Sequence, residues 1–221
     1  MPASRRRGAR AAPTITVLAG VNGAGKSSVG GAALRAAGAH YFNPDEFARE
    51  LRKSQSLSQQ EANAIAWNYG KQKLEAAIAN RADFSFESTL GGRTITSLLI
   101  RAVEQRHRLA IWFVGLANVD LHLRRVAARV AKGGHPIPEA VIRKRWIGSI
   151  ENIIRLIPHV TTLRVLDNSC DVAADKTPRP ILLLSIQNHR LAYPGPENLL
   201  TTPIWAKPIV AAAYKHFRVI P

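Results

Sequence analysis

Between Thr14 and Ala19 the chain reads Thr-Ile-Thr-Val-Leu-Ala, a run rich in β-branched residues and without a charge, which predicts a buried strand. A glycine-rich turn follows, and a helix is expected from about Lys26 to Ala37. A short strand near His40–Phe42 leads into Asn43-Pro44-Asp45, where proline disfavours helix at the residue before it. Ser58-Gln-Gln-Glu61 has the spacing of a capping box, so a long helix is predicted from there to about Asn80, with Ala64, Trp67, Ala76 and Ile78 among its buried residues. A third strand is expected over Asp83–Glu87, a helix over Thr94–Gln105 and a fourth strand over Leu109–Leu116. Helical patterns over Asp120–Lys132 and Pro138–Ile157 are separated by Gly133-Gly134-His135-Pro136. Thr162–Leu166 and Ile181–Ile186 read as the last strands, and Pro194, Pro196, Pro203 and Pro208 predict an irregular tail. Strands alternating with helices imply an α/β protein of three layers with a mostly parallel central sheet.

The organisation expected from this pattern is a basic, flexible tail over residues 1–13, a phosphate-loop domain over 14–170 with an arginine-rich lid near 120–147, and an extension over 171–221 packing on the same domain. Gly20-Val-Asn22-Gly23-Ala24-Gly25-Lys26-Ser27 matches G-x-x-x-x-G-K-[ST] in full, directly after a predicted strand and before a predicted helix. The glycines let backbone N–H groups turn onto phosphate oxygens, Lys26 reaches the β and γ phosphates, and Ser27 offers its hydroxyl to Mg²⁺. Ser28 closes the loop on the helix side. No Asn-Lys-x-Asp signature for guanine occurs, which favours ATP, and no strand ends in the apolar run plus Asp-Glu of motor ATPases. A small-molecule kinase becomes the leading class.

Such an enzyme needs a base for the acceptor hydroxyl at the end of a strand beside the phosphate loop. Asp45 is so placed, although an N-cap for Glu46–Leu51 fits it equally on position alone. Glu87, ending the next strand, could hold a Mg²⁺-bound water or grip the acceptor, or pair with a basic group. For His135, in a Gly-Gly-His-Pro turn, simple turn structure is favoured over a hinge or substrate contact. Asp167-Asn168-Ser169 could line an adenine pocket or turn the chain, and Trp67, Trp112 and Trp146 read as packing residues.

The chain has 221 residues, 46% of them hydrophobic and 21% charged, an ordinary globular composition, and a formal net charge of +16. That charge attracts anions and raises a second function class, a nucleotide-regulated RNA-binding protein. Against it, no recognition motif with paired aromatics is visible, and the arginines concentrate in the lid, at Arg124, Arg125, Arg129, Lys132, Arg143, Lys144 and Arg145. The lone Cys170 excludes an intrachain disulfide and a cysteine-held metal, so a reducing, cytoplasmic address is the default. No apolar run approaches the roughly 20 residues of a bilayer span. Arg5, Arg6, Arg7 and Arg10 before Thr14–Gly20 loosely imitate a secretory signal, but cleavage there would remove the phosphate loop, so a basic tail is the plainer reading.

The phosphate loop, then Tyr41-Phe-Asn-Pro-Asp45-Glu-Phe47, Phe86-Glu87-Ser-Thr89-Leu-Gly-Gly-Arg93-Thr94, Arg129-Val-Ala-Lys-Gly-Gly-His135-Pro-Ile-Pro138-Glu and Leu166-Asp-Asn-Ser169 together resemble the zeta toxin family, over about residues 14–170. The resemblance implies a P-loop kinase fold, ATP and Mg²⁺ as cofactors, transfer to a hydroxyl of a UDP-N-acetylglucosamine-like nucleotide sugar or related metabolite, and a small antitoxin partner. It implies Asp45 as catalytic base, with Lys26, Arg129 and Arg143 acting on the transferred phosphate. Glu75, Glu87, Thr89 and Arg93 would contact the acceptor, and Ser27 and Glu87 the metal. Two departures stand out: one extra residue separates Thr89 from Arg93, and the tail from about Asp171 has no counterpart in the family.

Overall fold

The computed structural model describes residues 11–31, 40–170 and 179–217. The expected basic stretch Arg5–Arg10 and the part of the expected Lys26–Ala37 helix beyond Gly31 lie outside the described residues; within them, Ser27–Gly31 form a single widened helical turn.

Six strands form one sheet: β1 (Thr14–Ala19), β2 (Phe84–Ser88), β3 (Arg108–Gly115), β4 (Thr162–Asp167), β5 (Ile181–Gln187) and β6 (Arg190–Tyr193), in the order β2-β1-β3-β4-β5-β6. β1 to β4 run parallel, β5 pairs antiparallel with β4, and β6 pairs antiparallel with β5. Flanking helices are α1 (Pro44–Ser54), α2 (Gln59–Ala79), α3 (Arg93–Glu104), α4 (Val119–Ala131), α5 (Glu139–Leu156) and α6 (Lys207–Phe217). This is the layered α/β architecture of a P-loop kinase fold. Ile15, Val17, Leu109, Ile111, Leu163 and Val165, which alternate onto one face of the central strands, are buried without exception, whereas on the opposite face Trp112 is half-buried and Arg164 exposed. None of the helices among the described residues is long and apolar enough to cross a membrane.

Several elements depart from the sequence pattern for identifiable reasons. The strand near His40–Phe42 reduces to one bridge, Phe42 to Phe86, because Asn43 at once caps α1 and turns the chain away. The capping box of α2 forms, but its inner face is Ala62, Ala66, Gly70, Leu74, Ala77 and Ile78. Ala64, Trp67 and Ala76 face outward, and Trp67 is 46% exposed. Small residues on that stripe admit close packing: a Cβ on Gly70 would lie 2.5 Å from the Phe42 ring. The proline-rich tail is ordered. Pro208 sits in the first turn of α6, where no N–H is needed, and Trp205, Ile209, Val210 and Ala213 join the core.

Candidate active site

All parallel strands end on one edge, and the phosphate loop leaves β1 there. Gly20 has φ +143°, and a Cβ on it would lie 2.2 Å from the Val114 carbonyl oxygen, so only glycine lets the loop start against β3. Three side chains hold the loop from outside. Asn168, buried after β4, donates from Nδ2 to the Ala24 carbonyl at 2.9 Å, which makes it a brace for the loop. Its own carbonyl accepts from Arg125 at 2.9 Å. Arg145 donates to Asn22 Oδ1 at 2.8 Å, and His122, 1% exposed, donates from Nδ1 to the Asn22 carbonyl at 2.8 Å. Burial first, then the nearby Lys26 and Arg125 charges, push the His122 pKa down to about 4 against the opposing effect of that hydrogen bond. The ring is therefore a neutral donor at physiological pH.

Lys26 and Glu87 are both nearly buried and pair at 3.3 Å. The other Glu87 oxygen accepts from Ser27 Oγ at 3.1 Å and from Asn43 Nδ2 at 3.4 Å. Ser27 Oγ and the Glu87 carboxylate are hard oxygen donors side by side, suited to a cation that brings its own waters and phosphate oxygens. Among the described residues no group of three His, Cys, Asp or Glu could hold a metal unaided.

Asn43 links this hub to Asp45. While its Nδ2 reaches Glu87, its Oδ1 accepts from the Asp45 and Glu46 amides, so Asn43, and not Asp45, caps α1. The cap alternative for Asp45 falls away, and its carboxylate is left free to face a cleft of about 870 Å³. Two stripes at spacings of four and three residues wall that cleft: Asp45, Arg49 and Arg52 on α1, and Arg125 and Arg129 on α4 with Lys132 at its C-cap. Arg129 approaches Asp45 at 4.0 Å and donates to the His135 carbonyl at 3.2 Å. His135 lines the cleft, and burial chiefly lowers its pKa, with Asp45 opposing and Arg129, Arg49 and Arg145 adding to the fall.

Of the two lid arginines implied by resemblance, only Arg129 lies in this cleft. Arg143 faces away, paired with Glu139 at 2.7 Å and Asp120 at 3.2 Å on the outer surface. Two residues further along α5, Arg145 has the inward position, half-buried against the phosphate loop, and sequence spacing alone could not tell the two faces apart. Thr89 and Arg93 follow Glu87 in the turn into α3, where Thr89 Oγ1 accepts from the Gly91 amide at 3.3 Å and Arg93 is exposed. Glu75 is not part of the cleft wall and pairs with Lys71 at 3.1 Å on α2.

The turn between β2 and α3 packs on α5. Leu90 is buried at φ +50°, an unusual conformation for leucine. Asn152 Nδ2 donates to the Leu90 carbonyl at 2.7 Å and the Gly92 carbonyl at 3.2 Å. A Cβ on Gly148 would lie 2.5 Å from the Gly91 oxygen, and one on Gly91 would lie 2.6 Å from Arg145 Cγ. One face of α5, Arg145, Gly148 and Asn152, thus clamps the turn and touches the phosphate loop. Sequence reasoning passed over Asn152; a polar residue amid Ile150, Ile153 and Ile154 was the available signal.

A family model described as AAA domain (AAA_33) matches residues 15–146, more than half of the chain. An uncharacterized protein of Haemophilus influenzae is 34% identical over 70 residues, 32% of this chain and 50% of that protein. Among solved structures, the AvrRxo1-ORF1:AvrRxo1-ORF2 complex with sulphate ions aligns at TM-score 0.60 and 20% identity over 87% of this chain and 64% of the other. The same complex with ATP aligns at 0.59 and 20% identity with the same coverage. A structure from the PezAT chromosomal toxin-antitoxin system of Streptococcus pneumoniae aligns at 0.53 and 12% identity over 74% of this chain and 71% of the other. At these identities the structural likeness is one of fold. The match spans half the length of the curated relative and under two thirds of the AvrRxo1 chain.

Proposed function

The chain belongs to the AAA domain family, and from that premise we propose that it is an ATP-dependent kinase that phosphorylates a hydroxyl of a nucleotide sugar, UDP-N-acetylglucosamine-like, or of a related small metabolite. The observation that carries the reading is Asn43, whose two amide atoms tie the Lys26–Glu87–Ser27 hub to the helix that aims Asp45 into the cleft. A phosphate loop and a carboxylate base are thereby fixed to one another. The ATP-bound AvrRxo1 complex supports the choice of nucleotide, and the PezAT system supports a small antitoxin as partner.

In the proposed reaction the loop amides and Lys26 hold the ATP phosphates, and Asp45 accepts the proton as the acceptor oxygen bonds to the γ-phosphorus. The bond to ADP breaks in the same displacement. Arg129 and Arg145 supply positive charge beside the transferring group. Ser27 and Glu87 would hold Mg²⁺, directly or through water, which neutralises charge on the phosphates. Without nucleotide, Glu87 pairs with Lys26, and phosphate entering the loop would compete for that lysine. Incubation with ATP, Mg²⁺ and a panel of nucleotide sugars, read by product mass, tests the reading: an acceptor one phosphoryl group heavier is expected. Release of inorganic phosphate alone would contradict it.

A further inference from the structure

α1 sorts its charges by face. Arg49 and Arg52 lie in line with Asp45 on the cleft wall, its acids Glu46 and Glu50 are not part of that wall, and Phe47, Ala48 and Leu51 pack on the Ala62–Ala66 face of α2. Among the described residues Arg49 has no hydrogen bond or ion pair, and Arg52 bonds only the neutral Gln59 Oε1, at 2.8 Å. Arg49, exposed to solvent, lines the same cleft as His135, and its charge adds to those of Arg129 and Arg145 in lowering the His135 pKa. These are two guanidinium groups without an ion pair on the helix that carries Asp45, across the cleft from Arg125, Arg129 and Lys132.

We propose that Arg49 and Arg52 form a second anion subsite, which takes a phosphate group that the acceptor already carries. The inference rests on the kinase reading and adds the specificity of its acceptor side. With a rise of about 1.5 Å per residue, the two arginines stand about 6 and 10 Å along the helix from Asp45. An acceptor spanning the wall would therefore place its hydroxyl at Asp45 and its phosphate one to two turns away. The planar guanidinium suits the bidentate recognition of phosphate oxygens. The cleft, about 870 Å³, has the size of a site for a nucleotide-sized molecule. Uncharged sugars and polyols would leave both arginines without an anionic partner and should be poor acceptors.

The test uses the full chain with its phosphate loop saturated by Mg²⁺ and a non-hydrolysable ATP analogue, titrated calorimetrically with inorganic pyrophosphate and with UDP-N-acetylglucosamine. Parental protein should bind both. Arg49→Ala and Arg52→Ala should each weaken binding about tenfold, and the double substitution about a hundredfold, at low salt. Affinity for the ATP analogue should not change, and Arg→Lys at either position should restore part of the loss. Lys215→Ala on α6 removes the same charge and should leave both titrations unaltered, which separates a local contact from the diffuse field. Absence of a second anion site in the parental protein, undiminished binding by the folded double variant, or equal turnover of an uncharged sugar would overturn the subsite. Second-site binding without phosphoryl transfer to any acceptor would instead contradict the kinase reading and leave the subsite standing.

Discussion

Acidification should destabilise this protein through one histidine. His122 is neutral when folded, with a pKa near 4, against about 6.5 in an unfolded chain. The unfolded state therefore takes up this proton first as the pH falls. Stability is complete above about pH 7, declines as the pH drops through 6.5, and levels off below the folded value. For a single site with these two constants the loss is about 2 kcal/mol by pH 5 and about 3 kcal/mol by pH 4. The structure gives the cause: Nδ1 is occupied by the Asn22 carbonyl, and Nε2 is buried with no partner to receive an added proton. His122→Asn keeps an amide donor in roughly the position of Nδ1 and removes the titrating ring. Urea unfolding of parental and variant proteins from pH 7.5 to 4.5, followed by circular dichroism, isolates the term, since every other titrating group is common to both. The stability gap between them should narrow or reverse by about 2 kcal/mol on going from pH 7 to 5. A gap that stays constant over that range would refute the reasoning, and so would an imidazole that titrates near 6.5 by nuclear magnetic resonance.

Lys26→Ala should abolish transfer and lower stability by up to about 3 kcal/mol, because the nearly buried Glu87 loses its cation; adding Glu87→Gln should recover part of the stability but none of the activity. Arg145→Ala should reduce turnover by at least about tenfold, whereas Arg143→Ala, which breaks only exposed pairs, should leave turnover within about twofold. Asn152→Ala removes the donor shared by two carbonyls and should cost about 1–3 kcal/mol. Its kinetic effect should fall on the acceptor KM more than on that for ATP, because the turn that carries Thr89 and Arg93 loosens while the phosphate loop keeps Asn168.

The parallel core and the phosphate loop were legible because their signals are local: an uninterrupted apolar strand, glycines at fixed offsets, and a lysine at the start of a helix. Glu87 was legible as a carboxylate near a strand end; Asp45, expected at another, instead lies in the first turn of α1, and the cap that its position equally suggested is made by Asn43. What stayed hidden depends on helix rotation and on contacts distant in sequence. Arg143 and Arg145 differ by two residues and hence by about 200° around α5, so only packing decides which of them looks inward. Arg49 and Arg52 carry no motif and gain meaning from the α4 stripe across the cleft. Asn168 and Ala24 are 144 residues apart. The helix at the end of the chain was masked by its prolines, which break a helix in the interior but not in the first turn.

The central claim is that Asp45 is the base of a phosphoryl transfer, and Asp45→Asn tests it most directly. Asn43 does the capping, and the Arg129 contact is half-exposed at 4.0 Å, so the substitution should cost less than about 1 kcal/mol of stability. ATP affinity should hold, since the loop, Lys26 and Ser27 are untouched. Single-turnover transfer to the acceptor identified by the panel should fall by about 10²–10⁴-fold. Transfer at the parental rate by a folded, ATP-binding Asn variant would contradict the account.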